Sequence, residues 1–282
     1  MTLWYSLVAL LPFEWAAPGT MYFMKNALLA VLVISPLFGL LSTMVVQNRM
    51  AFFSDALGHS AFTGIAIGAL MGLVASTWLA VAFAVLFAFL FTCVRHRSTM
   101  NSDTIIGVFS SAALALGIFL STLGGQSFAK FNSLLIGDIL SVQPQKIALL
   151  AALLLLLLLL WTTRLNQFIL TSIHPTLAKS RGVQTFWQNA IFTATIAVVV
   201  TVSMSWVGLL IINSLLVLPG ALSRNMAKNV AQYQLFSVLS AILCGIAGLL
   251  TSYYIGTSAG ASITLYLALL FFLSLFLRRG RR

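Results

Sequence analysis

Long apolar stretches separated by short polar ones run along the whole chain of 282 residues. A membrane-spanning helix needs about 20 mostly apolar residues, and nine segments meet this requirement. The pattern therefore predicts an all-α polytopic membrane protein of eight or nine transmembrane helices, folded as one transmembrane domain over residues 1–282. The expected spans are residues 24–46, 52–73, 78–94, 104–123, 146–163, 189–205, 207–222, 232–253 and 260–277.

Two regions leave the pattern of spans open. Residues 189–222 are compatible with a hairpin of two spans or with one broken helix. At the N-terminus, Pro12 and Glu14 interrupt the first apolar run, so residues 1–23 are expected to lie at the membrane interface.

The longest polar interruption, residues 164–188, predicts a loop that contains a short amphipathic helix from His174 to Arg181. Pro175 suits the first turn of a helix, and Gly182 suits a helix end. Leu177 and Ala178 would give this helix an apolar side, while Lys179 and Arg181 come late in it. A short helix across a loop is typical of a docking element, although an ordinary solvated connector explains the same residues equally well.

Composition agrees with a membrane protein, since 61% of the residues are hydrophobic, 7% are charged and the mean hydropathy is +1.07. The net charge of +11 does not indicate nucleic-acid binding, because the basic residues lie at alternate span ends and form no single patch. Placing the C-terminal tail in the cytoplasm puts twelve of the fifteen basic residues inside, as the positive-inside rule expects. Lys25, Lys130 and Lys146 are then outside, and the inside residues are Arg49, Arg95, Arg97, Arg164, Lys179, Arg181, Arg224, Lys228, Arg278, Arg279, Arg281 and Arg282.

Among only four acidic residues and three histidines, Asp55 and His59 lie four positions apart within a predicted span. That spacing places them on one helix face, together with Thr63. Ionisable groups at membrane depth are costly and usually serve transport, proton relay or cation binding. Small residues on the opposite face would let a neighbouring helix approach closely; they are Gly64, Gly68 and Gly72.

A carboxylate oxygen with an imidazole nitrogen suits Zn(II), Mn(II) or Fe(II). Two ligands are too few for a complete site, and a homodimer would supply four. A structural hydrogen bond between Asp55 and His59 explains the spacing almost equally well. For the other candidates, Asp138 is more typical of a loop or cap, Asp103 of a helix N-terminus, and His96 of an interfacial position.

The sequence contains no GxxxxGK[ST] phosphate-binding loop. Transport energy is therefore expected to come from a partner or from an ion gradient, and no permanently bound cofactor is expected. The class of secondary transporter, in which Asp55 and His59 relay protons, stays open at this point. An intramembrane metalloenzyme is disfavoured, because no third ligand or general base lies near the pair in the sequence.

Several longer motifs resemble the membrane permeases of ATP-binding-cassette (ABC) importers for zinc, manganese and related divalent metals. The combination is extended and occurs in the order that this family has. The matching stretches are QNRMAFFSDALGHSAFTGIAIG at 47–68, NSDTIIGVFSSAALALGI at 101–118, LIGDILSVQPQ at 135–145, IHPTLAKSRGV at 173–183, VGLLIINSLLVLPGALSR at 207–224 and GTSAGASITL near 256–265.

The resemblance implies a type II ABC importer-like fold and a homodimeric pathway in the bacterial plasma (inner) membrane. It also implies ATPase subunits on the cytoplasmic side and an extracytoplasmic metal-binding protein that delivers Zn, Mn or Fe. The family's intramembrane metal-contacting residues fall on Asp55 and His59. Its coupling helix, which contacts the ATPase, falls on Ile173, His174, Pro175, Leu177, Ala178, Lys179, Arg181 and Gly182. The nearest alternative is an ABC permease for a metal chelate such as a siderophore or cobalamin.

Overall fold

A computed structural model describes residues 2–9, 12–72, 77–123, 137 and 139–279 of the chain. The described residues form α-helices, two short 3-10 helices at Glu14–Ala16 and Ile139–Ser141, and no strands. The helices are α1 (Thr2–Val8), α2 (Tyr22–Gln47), α3 (Phe53–Leu70), α4 (Thr77–Arg97), α5 (Ser102–Leu123), α6 (Pro144–Ile173), α7 (Pro175–Ser180), α8 (Thr185–Val207), α9 (Leu209–Met226), α10 (Val230–Ile255) and α11 (Ala259–Arg279).

Every predicted span corresponds to one long helix, which confirms the all-α polytopic fold. Within the described ranges, eight helices are long and apolar enough to cross a membrane, namely α2, α4, α5, α6, α8, α9, α10 and α11. The ninth predicted span is α3, which carries Asp55, His59 and several small residues and is therefore less apolar. This exception marks α3 as the helix whose environment differs from that of an ordinary span.

The long helices differ in how deeply they are buried. In their most hydrophobic stretches, 67% of the residues of α2 and of α8 are buried, against 22% for α6. Leu155 and Leu159 of α6 are mostly exposed, as expected for a helix that faces lipid. α2 packs against α6, α9 and α10, while α8 packs against α4. The bundle therefore has α2 and α8 at its centre and α6 at its periphery.

A polar cavity of about 740 Å³ marks one end of the bundle. Residues at the ends of α2, α4, α6 and α9 line this cavity, as do residues at the starts of α5 and α8. Thr185 and Asn189 at the start of α8 line this cavity, and so does Arg224 near the end of α9. The two helices therefore run in opposite directions and form a hairpin rather than one broken helix. Gly208 between them has φ 86° and ψ 146°, a conformation that glycine adopts without strain. The basic residues at this end include Arg49, Arg95, Lys179 and Arg224. The distribution of basic residues in the sequence predicts all four on the same side of the membrane.

The prediction of a polar loop from residue 164 is wrong at its N-terminal end, because α6 continues as a helix to Ile173. Leu165, Phe168 and Ile169 recur at helical spacing and pack against the core. Phe168 contacts Trp161 and Phe192, and Gln188 Nε2 donates a 2.6 Å hydrogen bond to Gln167 Oε1. The polar residues of this stretch thus belong to a helix that extends about 45 Å, beyond the hydrocarbon core, and some of them contact the bundle.

The N-terminal segment packs against the start of α2. Trp4 Nε1 donates a 2.9 Å hydrogen bond to the Lys25 carbonyl oxygen. Lys25 is itself almost fully buried, and its ammonium group donates a 2.7 Å hydrogen bond to the Ala17 carbonyl oxygen. These contacts tie residues 2–9 and 12–20 to the bundle, while their expected position at the membrane interface stays a prediction.

The close approach of α3 to α4 generates a stability prediction. A Cβ atom at Gly64 would lie 2.6 Å from Ala80 Cα. We expect Gly64→Ala to destabilise the detergent-solubilised protein by about 1–3 kcal/mol through overpacking. The control is Ala152→Leu, which adds volume at an exposed position of the lipid-facing helix α6 and should not lower the unfolding temperature. Equal unfolding temperatures for the two variants would contradict the packing described here.

Candidate cation site and docking helix

Three helices hold α3 in place around its polar residues. A Cβ atom at Gly58 would lie 2.5 Å from Leu209 Cδ2, so α3 lies directly against the start of α9. On another side, Thr63 Oγ1 donates a 2.6 Å hydrogen bond to the Ala113 carbonyl oxygen of α5. Together with the Gly64 contact to α4, these contacts fix both the position of α3 and its rotation about its axis.

Asp55 and His59 lie together on this fixed helix. His59 Nε2 is 3.4 Å from Asp55 Oδ2, and the exposed side-chain fractions are 16% for His59 and 46% for Asp55. Asp55 lies in the first turn of α3, where the helix dipole favours a negative charge. The pair therefore presents one stabilised carboxylate, partly accessible, beside an imidazole that is mostly covered by protein.

The remaining positions predicted on this helix divide into two groups. Thr63 shares the helix face of Asp55 and His59, but its side chain is fully buried against α5 and does not join them at an accessible surface. On the opposite face, Gly64 contacts α4 as expected. Gly72 lies beyond the end of α3 in open space, with φ 70°, so it ends the helix and does not serve packing. The accessible polar surface of α3 therefore reduces to Asp55 and His59.

Asn213 of α9 is a third polar residue at this point, and the sequence patterns did not single it out. The Asn213 side chain lies beside the Asp55 carboxylate, close enough to interact with its charge. The register of the two helices explains the contact, because Asn213 is one turn beyond Leu209 and Asp55 is nearly one turn before Gly58 on an antiparallel helix. An amide within the mostly apolar run VGLLIINSLL was the available signal.

The site lies inside the bundle, near its basic end. Asp55 is in the first turn of α3, six residues after Arg49, and Arg49 lines the polar cavity. His59 follows Asp55 by about one helical turn, further from that end. The pair is therefore close to the cavity but within a predicted span, where an ionised side chain must face protein or water.

The described part of one chain holds no group of three or more His, Cys, Asp or Glu side chains that could bind a metal ion.

Asp138 lies outside the described residues. Neighbouring Gly137 packs against the backbone of Gly208, and Ile139 and Val142 are buried. Asp103 lies in the first turn of α5, and His96 in the last turn of α4, where both line the cavity at the basic end.

The predicted docking segment forms helix α7 at the same end of the bundle. Pro175 occupies the first turn, and Gly182 has φ 75° directly after the helix. The Val183 amide donates a 3.0 Å hydrogen bond to the Ala178 carbonyl oxygen, which closes the helix with the backbone pattern common at glycine C-termini. A left-handed residue is required there, so glycine is the natural choice.

Helix α7 is attached to the bundle by one side only. Ala178 is fully buried, whereas Leu177 is 43% exposed and Ile173, just before the helix, is 47% exposed. The other residues of the predicted segment are exposed as well: His174, Pro175, Lys179, Arg181 and Gly182. The segment thus presents two apolar side chains and two basic ones, Lys179 and Arg181, away from the bundle.

Comparison with known proteins agrees with this architecture. Residues 20–278 match the ABC 3 transport family. The manganese import system permease protein ScaB of Streptococcus gordonii is 29% identical over 93% of each chain. The high-affinity zinc uptake system membrane protein ZnuB of Haemophilus influenzae is 29% identical over 89% of this chain and 96% of its own. Among solved structures, PsaBC from Streptococcus pneumoniae in complex with Fab has a TM-score of 0.76 at 27% identity and covers 97% of this chain and 95% of its own.

The chain is a multi-pass membrane permease. It belongs to the ABC 3 transport family, because the match includes all nine long helices and the segment that carries α7. The resemblance drawn from the sequence motifs is thereby confirmed.

Proposed function

We propose that this chain is the membrane subunit of an ATP-driven importer of divalent transition-metal ions, with zinc, manganese or iron as substrate. The observation that carries the proposal is the Asp55–His59 pair, which offers an oxygen and a nitrogen ligand 3.4 Å apart within a predicted membrane span. Relatives of similar length are named for manganese and zinc import. An incomplete site suits a transporter, because the bound ion has to leave again.

A second copy of the chain would complete the site. Asp55 is nearly half accessible in one chain, and an accessible carboxylate at this depth needs water or another protein surface beside it. Two copies related by a two-fold axis would place two carboxylates and two imidazoles along one pathway. Helix α5 supports such an arrangement, because its exposed face carries small residues at a spacing of four, which allow two helices to pack closely. These residues are Gly107, Ser111 and Ala115.

Helix α7 is the proposed contact with the ATPase. Its outward side chains, among them Leu177 and Lys179, suit a partner groove that is apolar with acidic groups at its rim. The basic end of the bundle is then cytoplasmic, which also places the C-terminus in the cytoplasm of a bacterial inner membrane. An extracytoplasmic metal-binding protein would deliver the ion at the opposite end. Membrane lipid surrounds the bundle, and nucleic acid has no role.

Substitution of the two site residues tests the proposal. We expect Asp55→Asn and His59→Gln each to lower metal uptake by cells or vesicles by more than about tenfold, because each removes a cation ligand. The controls are Asp103→Asn, which also removes an acid from a first helical turn, and His96→Gln. Both controls should retain uptake.

All four variants should assemble with the ATPase subunits, which size-exclusion chromatography of the solubilised complex checks. Normal uptake by both Asp55→Asn and His59→Gln would refute the site.

Substitution on α7 tests the docking role. We expect Leu177→Ser to abolish the stimulation of ATPase activity by transport substrate in reconstituted vesicles, because the exposed apolar contact to the ATPase is lost. Leu123→Ser is the matched control, since Leu123 is also exposed and lies at the other end of α5, about 33 Å from the end that lines the cavity. Normal coupling in Leu177→Ser vesicles would contradict this role of α7.

A further inference from the structure

We propose that Asn213 is a third cation ligand, which α9 adds to Asp55 and His59, and that its amide oxygen favours Mn(II) over Zn(II). This inference rests on the proposed transport function and narrows its substrate class. It starts from the close contact between α3 and α9, where Gly58 and Leu209 touch and Asn213 reaches Asp55.

The chemistry of the Asn213–Asp55 contact fixes the orientation of the amide. An ionised carboxylate only accepts hydrogen bonds, so the Asn213 amide nitrogen faces Asp55. The Asn213 Oδ1 atom then takes no part in the contact with Asp55. It is buried, and no donor among the described residues reaches it.

A buried carbonyl oxygen without a donor costs about 1–3 kcal/mol, and nearly all such atoms in folded proteins have a partner. The transported ion removes this cost when it binds, because it then becomes the partner of Asn213 Oδ1. In the empty state the amide nitrogen holds the Asp55 carboxylate in place. In the loaded state the Asp55 carboxylate and Asn213 Oδ1 both face the cation. His59, which lies on α3 like Asp55, is the third ligand.

The ligand set also bears on which metal is preferred. Carboxylate and carbonyl oxygens suit Mn(II), whereas imidazole suits Zn(II) and other later transition metals. The Asn213 amide therefore adds an oxygen ligand to Asp55 and His59, which shifts the metal preference of the site toward Mn(II). Removing that oxygen leaves Asp55 and His59, a pair that zinc tolerates better than manganese.

Two substitutions separate a ligand from a residue that only orients Asp55. Asn213→Leu removes both the donor and the oxygen at nearly constant volume. Asn213→Asp removes the donor but keeps an oxygen ligand. A cation ligand predicts that Asn213→Asp binds metal and Asn213→Leu does not, whereas a purely orienting role predicts that both lose binding, since aspartate also repels Asp55.

The experiment measures binding of Mn(II) and of Zn(II) to the purified permease–ATPase complex by titration calorimetry. We expect Asn213→Leu to weaken Mn(II) binding by at least about tenfold and Zn(II) binding by clearly less, and Asn213→Asp to bind Mn(II) at least as tightly as the parent protein. The inference is overturned if Asn213→Leu binds Mn(II) like the parent, if both metals weaken equally, or if Asn213→Asp is as weak as Asn213→Leu.

Two controls keep the outcomes distinct. Asp55→Asn in the same titration tests the proposed function: if it binds both metals like the parent, the site itself fails, whereas loss of binding in Asp55→Asn with normal binding in Asn213→Leu removes only the role of Asn213. If Asn213→Leu does not yield a monodisperse complex, Asn213→Ala takes its place with the same expected losses, because it adds no volume between α3 and α9.

Discussion

The cost of holding an ionised carboxylate inside a lipid-surrounded bundle constrains everything else about this protein. Asp55 cannot face hydrocarbon without a penalty of several kcal/mol, yet nearly half of its side chain is accessible in a single chain. That cost is reduced by the dipole at the first turn of α3 and by the neighbouring side chains of His59 and Asn213. They still leave part of the Asp55 side chain accessible. The proposed path between two copies of the chain, if filled with water, would satisfy this constraint.

Small residues make this geometry possible by letting helix backbones approach α3 on several sides. Gly58 admits Leu209 of α9, Gly64 admits the α4 backbone, and Gly117 of α5 admits Phe62 and Thr63. In lipid, such packing replaces the hydrophobic effect as the main source of helix association. A helix that is pinned on three sides cannot rotate, so the direction in which Asp55 and His59 point is fixed by contacts made elsewhere along α3.

The sequence allowed most of the fold to be predicted, because nine apolar segments of sufficient length have few alternatives in a bilayer. It also singled out Asp55 and His59 as candidates because such residues are rare in the chain, and the structure brings their side chains together. The extension of α6 to Ile173 escaped prediction because its polar residues imitate a loop, while Leu165 and Phe168 pack at helical spacing. Asn213 escaped because its significance depends on the register between two helices far apart in sequence, which no local pattern encodes.

The most direct measurement of the central claim is pulsed electron paramagnetic resonance of Mn(II) bound to the purified permease–ATPase complex. If His59 coordinates the ion in the pathway, the spectrum should show coupling to an imidazole ¹⁴N nucleus, and this coupling should disappear in His59→Gln and remain in His96→Gln. Bound Mn(II) without nitrogen coupling, or coupling that persists in His59→Gln, would contradict the assignment of this pair as the cation site.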